Sequence, residues 1–272
     1  MGNVLIVVWR ESLEAMLVVT ILAGVLQRMG VLNGKRYLWA GVSAGIILSV
    51  ALALGLQQLQ ASLPENAYDK FQAFLLLLAV ALVTHMVIWM QRHGRKMKQE
   101  LESDTHAALA RTGLWGIGLV AAFAIAREGV ETVVFLYGLA LGNHLSALVL
   151  AASAAGGLLL ALGTTWLIGR GMRGFSYRAF FQTTGFLLLL FATSMLVTAI
   201  GQLTQLDLVP AIIDPVWNSA WLLDEHSAVG GPIAALTGYR SHPSLIQILA
   251  ITAFWALALP LMYRTTPLTR KE

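Results

Sequence analysis

The 272-residue chain has no cysteine and little charge. Without cysteine there are no disulfides and no thiolate ligands for a metal. Charged residues make up 12% of the sequence, against roughly 25% in an ordinary soluble domain. No Gly-x-x-x-x-Gly-Lys-Ser/Thr loop occurs, which excludes nucleotide binding of the P-loop kind, and no His-Glu-x-x-His pair offers a hydrolytic zinc site. The formal net charge of +4 is spread over short connections and does not make a nucleic-acid-binding surface. What remains is apolar. Hydrophobic residues are 57% of the chain and come in runs too long for the core helices of a soluble domain.

Seven segments are long enough to cross a hydrocarbon layer of ~30 Å at about 1.5 Å per residue. They cover 4–26, 38–58, 71–91, 114–138, 145–168, 181–203 and 244–263. The predicted fold class is therefore all-α: a polytopic membrane protein of seven transmembrane helices. The first run carries a charged cluster and has no Ala-x-Ala exit, so it is expected to be a span and not a cleavable signal. Gly156, Gly157 and Gly163 in the fifth run predict close packing against neighbouring helices.

The basic residues are distributed unevenly. Of 18 lysines and arginines, 14 fall in one alternating set of connections, including Lys35, Arg36, Arg92, Arg95, Arg173 and Arg264. The opposite set holds only Lys70 and Arg240, and Arg10 and Arg127 lie inside spans. The positive-inside rule then predicts an external N-terminus and a cytoplasmic C-terminus. Trp39, Trp89, Trp115 and Trp166 fall near the predicted inner ends, as an aromatic belt would. The external side carries Glu65, Asp69, Asp207, Asp214, Asp224 and Glu225 with His144, His226 and His242. Such a surface either concentrates cations before entry or is a solvated loop face.

Two of the spans contain the same charged cluster. Residues 10–14 read RESLE and residues 127–131 read REGVE, 117 positions apart, in the first and fourth spans. The fourth span runs opposite to the first. Residues 1–92 and 113–204 are therefore candidate inverted repeats within a single transmembrane domain of 1–272, with an extra helix at 243–264; in such a design the substrate site lies near the midplane. At 100° per residue, Arg10, Glu11 and Glu14 share an arc of about 100° on one helix face, and so do Arg127, Glu128 and Glu131. A carboxylate facing lipid is costly, so both faces must point into the bundle. If they meet, four carboxylates and two guanidiniums leave a formal charge of −2, which suits a hard cation bound through oxygen. The competing readings are helix-locking ion pairs and a proton relay. One cluster would leave helix locking as good as a site. Two at corresponding positions favour metal coordination.

Other polar features carry less. Met86 and Met90 on the third span have helical i, i+4 spacing and read as packing. His85 either hydrogen-bonds a neighbour or lines the path. The stretch 92–113, with His93 and His106, reads as an exposed amphipathic helix of mixed charge.

With RESLE and REGVE placed in the first and fourth of seven spans, the chain resembles the oxidase-dependent iron transporter family, which comprises the high-affinity iron permeases of fungi and the EfeU-type permeases of bacteria. The resemblance covers nearly the whole sequence and includes WMQRHGRKMKQELE from position 89 and GYRSHPS at 238–244. It implies transport of ferric iron, Fe3+, as substrate into the cytoplasm, with no tightly bound cofactor. Glu11, Glu14, Glu128 and Glu131 would be ligands and Arg10 and Arg127 supporting ion pairs. His85, Asp224 and Glu225 are candidate entry or pathway residues. The implied setting is a bacterial inner membrane, with separate extracytoplasmic proteins that oxidise or deliver iron.

Two positions depart from the family pattern. Ser12 stands where glycine is usual, and Trp217-Asn218-Ser219 stands where an acidic residue is expected after the aromatic one. Asp224 or Glu225 is the available substitute. The alternatives are a carrier of another cation, such as a divalent metal or lead, an intramembrane metalloenzyme, and a purely structural subunit.

Overall fold

Each long apolar run becomes a helix, because in lipid only a helix satisfies every backbone polar group within one segment. The computed structural model describes residues 2–31, 33–93, 103, 107, 112–143, 146–169, 177–227 and 229–263. Among them are eight helices: α1 (Gly2–Arg28), α2 (Gly34–Ser62), α3 (Glu65–His93), α4 (Leu114–Asn143), α5 (Ala147–Gly169), α6 (Tyr177–Gln205), α7 (Gly230–Thr237) and α8 (Leu245–Tyr263). All seven predicted segments are helical, most of them longer by a few residues at their ends. The amphipathic helix expected over 92–113, His106, His144 and the side chain of His93 lie outside what is described.

Five helices are long and apolar enough to cross a membrane, within 34–62, 67–91, 147–167, 182–205 and 245–262. The chain is a multi-pass membrane protein. The two long helices outside that set, α1 and α4, are those interrupted by an Arg-Glu-x-x-Glu cluster, whose three charges depress an otherwise apolar run.

The fold divides into two compact units, and each draws elements from both halves of the sequence. The first contains α1, α2, α4 as far as Leu136, and α5. Small residues set its spacing. A β-carbon on Gly157 of α5 would stand 2.7 Å from the carbonyl oxygen of Leu5 and 2.9 Å from the backbone nitrogen of Trp9, so α1 and α5 touch backbone to backbone. Gly156 also lies against Leu5, whereas Gly163 faces open space. Two side-chain bonds lock the same seam: Trp9 Nε1 donates to Thr164 Oγ1 at 3.1 Å, and Thr165 Oγ1 donates to Met16 Sδ at 3.3 Å. On α2, Gly41, Gly45 and Ser49 form a small-x-x-x-small stripe against Gly118, Ala122, Ile125 and Gly129 of α4. Val18, Leu22 and Leu26 of α1 close the core with Leu38, Val42, Ile117 and Ile125.

Helix α1 stops at a Schellman turn. Gly30 takes φ +69°, Val31 N donates to Leu26 O, and Gly30 N donates to Gln27 O. Three of the predicted belt tryptophans lie in this unit and are exposed: Trp39, Trp115 and Trp166.

The second unit contains α3, the end of α4 from Tyr137, α6, α7 and α8. Met86 and Met90 are buried there, as packing residues should be. Gln202 of α6 donates to Gln72 of α3 at 3.4 Å, and Gln247 of α8 donates to the Val197 carbonyl at 3.4 Å. The stretch GYRSHPS organises the long connection before α8. Gly238, at φ +74°, caps α7 and lies against the backbone of Thr193 and Ser194 on α6. The Tyr239 hydroxyl donates to Leu223 O at 3.0 Å, and Arg240 bonds both Glu225 and Thr198. The motif therefore has a structural role that its letters alone do not disclose.

Candidate metal centre

All six charged residues of the two clusters belong to the first unit. Helix periodicity presents each triplet on one face, and the α2 stripe packs closely against α4 around Gly129, between Glu128 and Glu131. At Gly129, in the middle of the second cluster, a β-carbon would collide with the Ser49 hydroxyl. That hydroxyl donates to Gly45 O at 2.8 Å. Ser12, the corresponding residue of the first cluster, shares a helical stripe with Leu5, Trp9 and Met16, which face α5.

The two arginines are not equivalent. Arg10 is 1% exposed and forks between two carboxylates: Nη1 donates to Glu11 Oε1 at 2.8 Å, and Nη2 lies 2.7 Å from Glu14 Oε1. The second contact is one of charge rather than an aligned hydrogen bond. Arg127 keeps 47% of its side chain exposed, bonds Glu131 Oε1 through Nε at 3.1 Å, and stands 3.7 Å from Glu128 Oε1. One cluster is thus closed around its arginine, and the other is open on one side.

Glu11, Glu128 and Glu131 converge. Each offers a carboxylate oxygen, and the three oxygens lie within 4.8 Å of one another. In all three residues Oε1 is the atom turned to an arginine, while Oε2 is buried without a hydrogen-bond partner. Removing an ionised carboxylate from water costs several kcal/mol unless something compensates it. A cation among the three oxygens would supply that compensation, since carboxylate oxygens are hard ligands. Arg10 contacts both Glu11 and Glu14, but only Glu11 also reaches the group, so three of the four predicted ligands converge and Glu14 lies outside them.

The remaining predicted residues lie in the second unit. His85 is exposed on α3. Glu225 accepts from Arg240 through Oε2 at 3.1 Å and from Ser241 through Oε1 at 3.2 Å, so both its oxygens serve the loop fold. Asp224 Oδ1 accepts the backbone N–H of His226 at 2.9 Å, a local turn. Two features escaped the sequence: the inequality of the arginines and the contact of Ser49 with Gly129. The first depends on side-chain placement. The second had a signal in the Gly41-x-x-x-Gly45-x-x-x-Ser49 spacing.

The sequence profile of the Iron permease FTR1 family matches residues 1–265. Among similar proteins is "Ferrous iron permease EfeU" of Shigella sonnei, 30% identical over 267 residues, with 94% of each chain covered. The protein of the same name from Escherichia coli O157:H7 shows the same identity and coverage. The one from Yersinia pestis is 26% identical over 250 residues, covering 89% of this chain and 86% of its own. No solved structure matches the chain significantly.

Proposed function

From the premise that the chain belongs to the Iron permease FTR1 family, we propose that it carries iron into the cytoplasm through the carboxylates of its two Arg-Glu-x-x-Glu clusters. One observation carries the proposal: the unpartnered, buried Oε2 atoms of Glu11, Glu128 and Glu131, contributed by two helices, α1 and α4. Arg10 and Arg127 hold the other oxygens and keep unbalanced negative charge low enough for the helices to stay in the bilayer. Glu14 is the fourth carboxylate, available to the ion when the Arg10 clamp loosens.

All seven long helices span in this reading, including α1 and α4, because their charges face inward. The N-terminus is external and the C-terminus cytoplasmic, and the setting is a bacterial inner membrane. The protein is a transporter with iron as substrate, and separate extracytoplasmic proteins oxidise or deliver the ion. Ferric iron is favoured by the all-carboxylate donor set, a hard site for a hard ion. Ferrous iron is favoured by the names of the relatives. Proteoliposomes supplied with Fe3+ under oxidising conditions, or with Fe2+ under ascorbate, separate the two. The ferric reading expects faster uptake of Fe3+. Uptake confined to the ascorbate condition would assign ferrous iron.

A further inference from the structure

The connection from α6 to α8 exposes large apolar side chains on a backbone that is pinned in place. Ile212, Ile213, Trp217, Trp221 and Leu222 are 50% exposed or more, with Trp221 at 84%. The pinning is to the start of a span: Leu245 N donates to Ile213 O at 2.9 Å, Val216 N to Pro243 O at 2.9 Å, and Ser219 N to Ser241 O at 2.9 Å. The apolar window of α8, 245–262, has 18 residues. At about 1.5 Å each these span roughly 27 Å, close to the whole hydrocarbon thickness. Leu245 must then sit at the hydrocarbon boundary. Ile213, bonded to it, lies at the same depth, and Trp217 is only a few residues further along the ladder.

We propose that this segment is a membrane-interface wedge, lying in the headgroup and upper acyl region of the leaflet that α8 enters. Continuity fixes the occupant. The exposed flank of α8 beginning at Leu249 is a lipid surface, and the wedge is hydrogen-bonded to the top of that helix. Tryptophan is the side chain best suited to this depth, with an apolar body and one N–H for the wet side. Ile212 adds a second sign. It is β-branched yet held at φ +64°, a strained conformation that would leave its side chain in water unless the bilayer received it. The attraction is apolar and not electrostatic, because residues 206–229 contain Asp207, Asp214, Asp224 and Glu225 and no lysine or arginine.

The cysteine-free chain makes the test direct. Single cysteines at Trp221→Cys, Leu222→Cys and, as a wet control, His226→Cys take an environment-sensitive fluorophore in phosphatidylcholine nanodiscs carrying shallow or deep spin-labelled lipid. Labels at 221 and 222 are expected to be blue-shifted and at least twofold more quenched by the shallow than by the deep label, with 226 unquenched. Adding anionic lipid or salt is expected to change neither result. Labels at 221 and 222 as wet as that at 226 would overturn the proposal, including the case where they dry only on addition of an extracytoplasmic protein. Hydroxyl-radical footprinting of the unsubstituted chain in the same nanodiscs guards against misfolded variants: Trp217 and Trp221 should be protected, and heavy oxidation of both would equally overturn it.

Discussion

The hydroxyl of Ser49 on α2 rests where a side chain on Gly129 of α4 would begin. This contact joins the packing of two helices to the placement of Glu128 and Glu131 on either side of that glycine. Gly129→Ala should therefore displace α4 at the site, at a cost of about 1–3 kcal/mol as for other overpacked positions. Ser49→Gly removes both the hydroxyl and the β-carbon. The double variant should recover uptake that Gly129→Ala loses, while Ser12→Gly should be tolerated. Uptake and thermal unfolding of the four proteins check this. No recovery in the double variant would show that the contact does not set the spacing.

The arginines should fail differently. Arg10 is wholly buried between two carboxylates, and removing one partner of a buried ion pair costs about 3–5 kcal/mol. Arg10→Ala should reduce the amount of folded protein in the membrane. Arg127, half exposed, should be less damaging to abundance when replaced. Arg10→Lys keeps the charge but cannot fork between Glu11 and Glu14, so impaired uptake is expected from protein that still inserts. Quantified membrane abundance beside uptake separates these outcomes. Equal abundance loss at both arginines would contradict the asymmetry.

Orientation follows from the basic residues. A reporter fused after Glu272 should be active in the cytoplasm, and one inserted near Asp224 should be active outside. The reverse pattern would contradict the external N-terminus and cytoplasmic C-terminus.

The energy source has a quantitative signature. With no nucleotide-binding motif, an inward cation can be driven by membrane potential at about 2.3 kcal/mol per charge per 100 mV, roughly 7 kcal/mol for Fe3+ and 4.6 for Fe2+. Uptake into proteoliposomes should rise as the interior is made more negative. A rate indifferent to potential would point to proton coupling or redox trapping.

Much of this was legible in the sequence for physical reasons. A bilayer imposes one length and one polarity on every crossing, so the apolar runs gave the positions of α1 to α6 and α8 within a few residues at most ends. Helix α7 was missed because eight residues cannot span and too few turns exist for a period to show. Its Pro232 near the start and Gly238 just past the end were the available signals. The two charged clusters announced themselves by their cost in lipid. Which carboxylates converge was not legible, because Glu11 and Glu14 differ by only 60° around α1 and both contact Arg10, so the choice rests on side-chain placement against α4. The acidic residues of the α6–α8 connection suggested a solvated, cation-gathering face. Glu225 instead uses both oxygens in the loop fold, a pairing with Arg240 and Ser241 that no local pattern encodes.

The central claim is that the buried Oε2 atoms of Glu11, Glu128 and Glu131 receive the iron. Its most direct test is iron uptake by purified Glu11→Gln, Glu128→Gln and Glu131→Gln in proteoliposomes at matched protein content, with Glu14→Gln alongside. Glutamine keeps the shape of each side chain and removes its charge. Each of the three should fall to background uptake, whereas Glu14→Gln should keep measurable uptake because Glu14 lies outside the converging group; Glu11→Gln and Glu14→Gln both strip Arg10 of a partner and should share a loss of stability. Normal uptake by any one of the three converging variants would contradict the account.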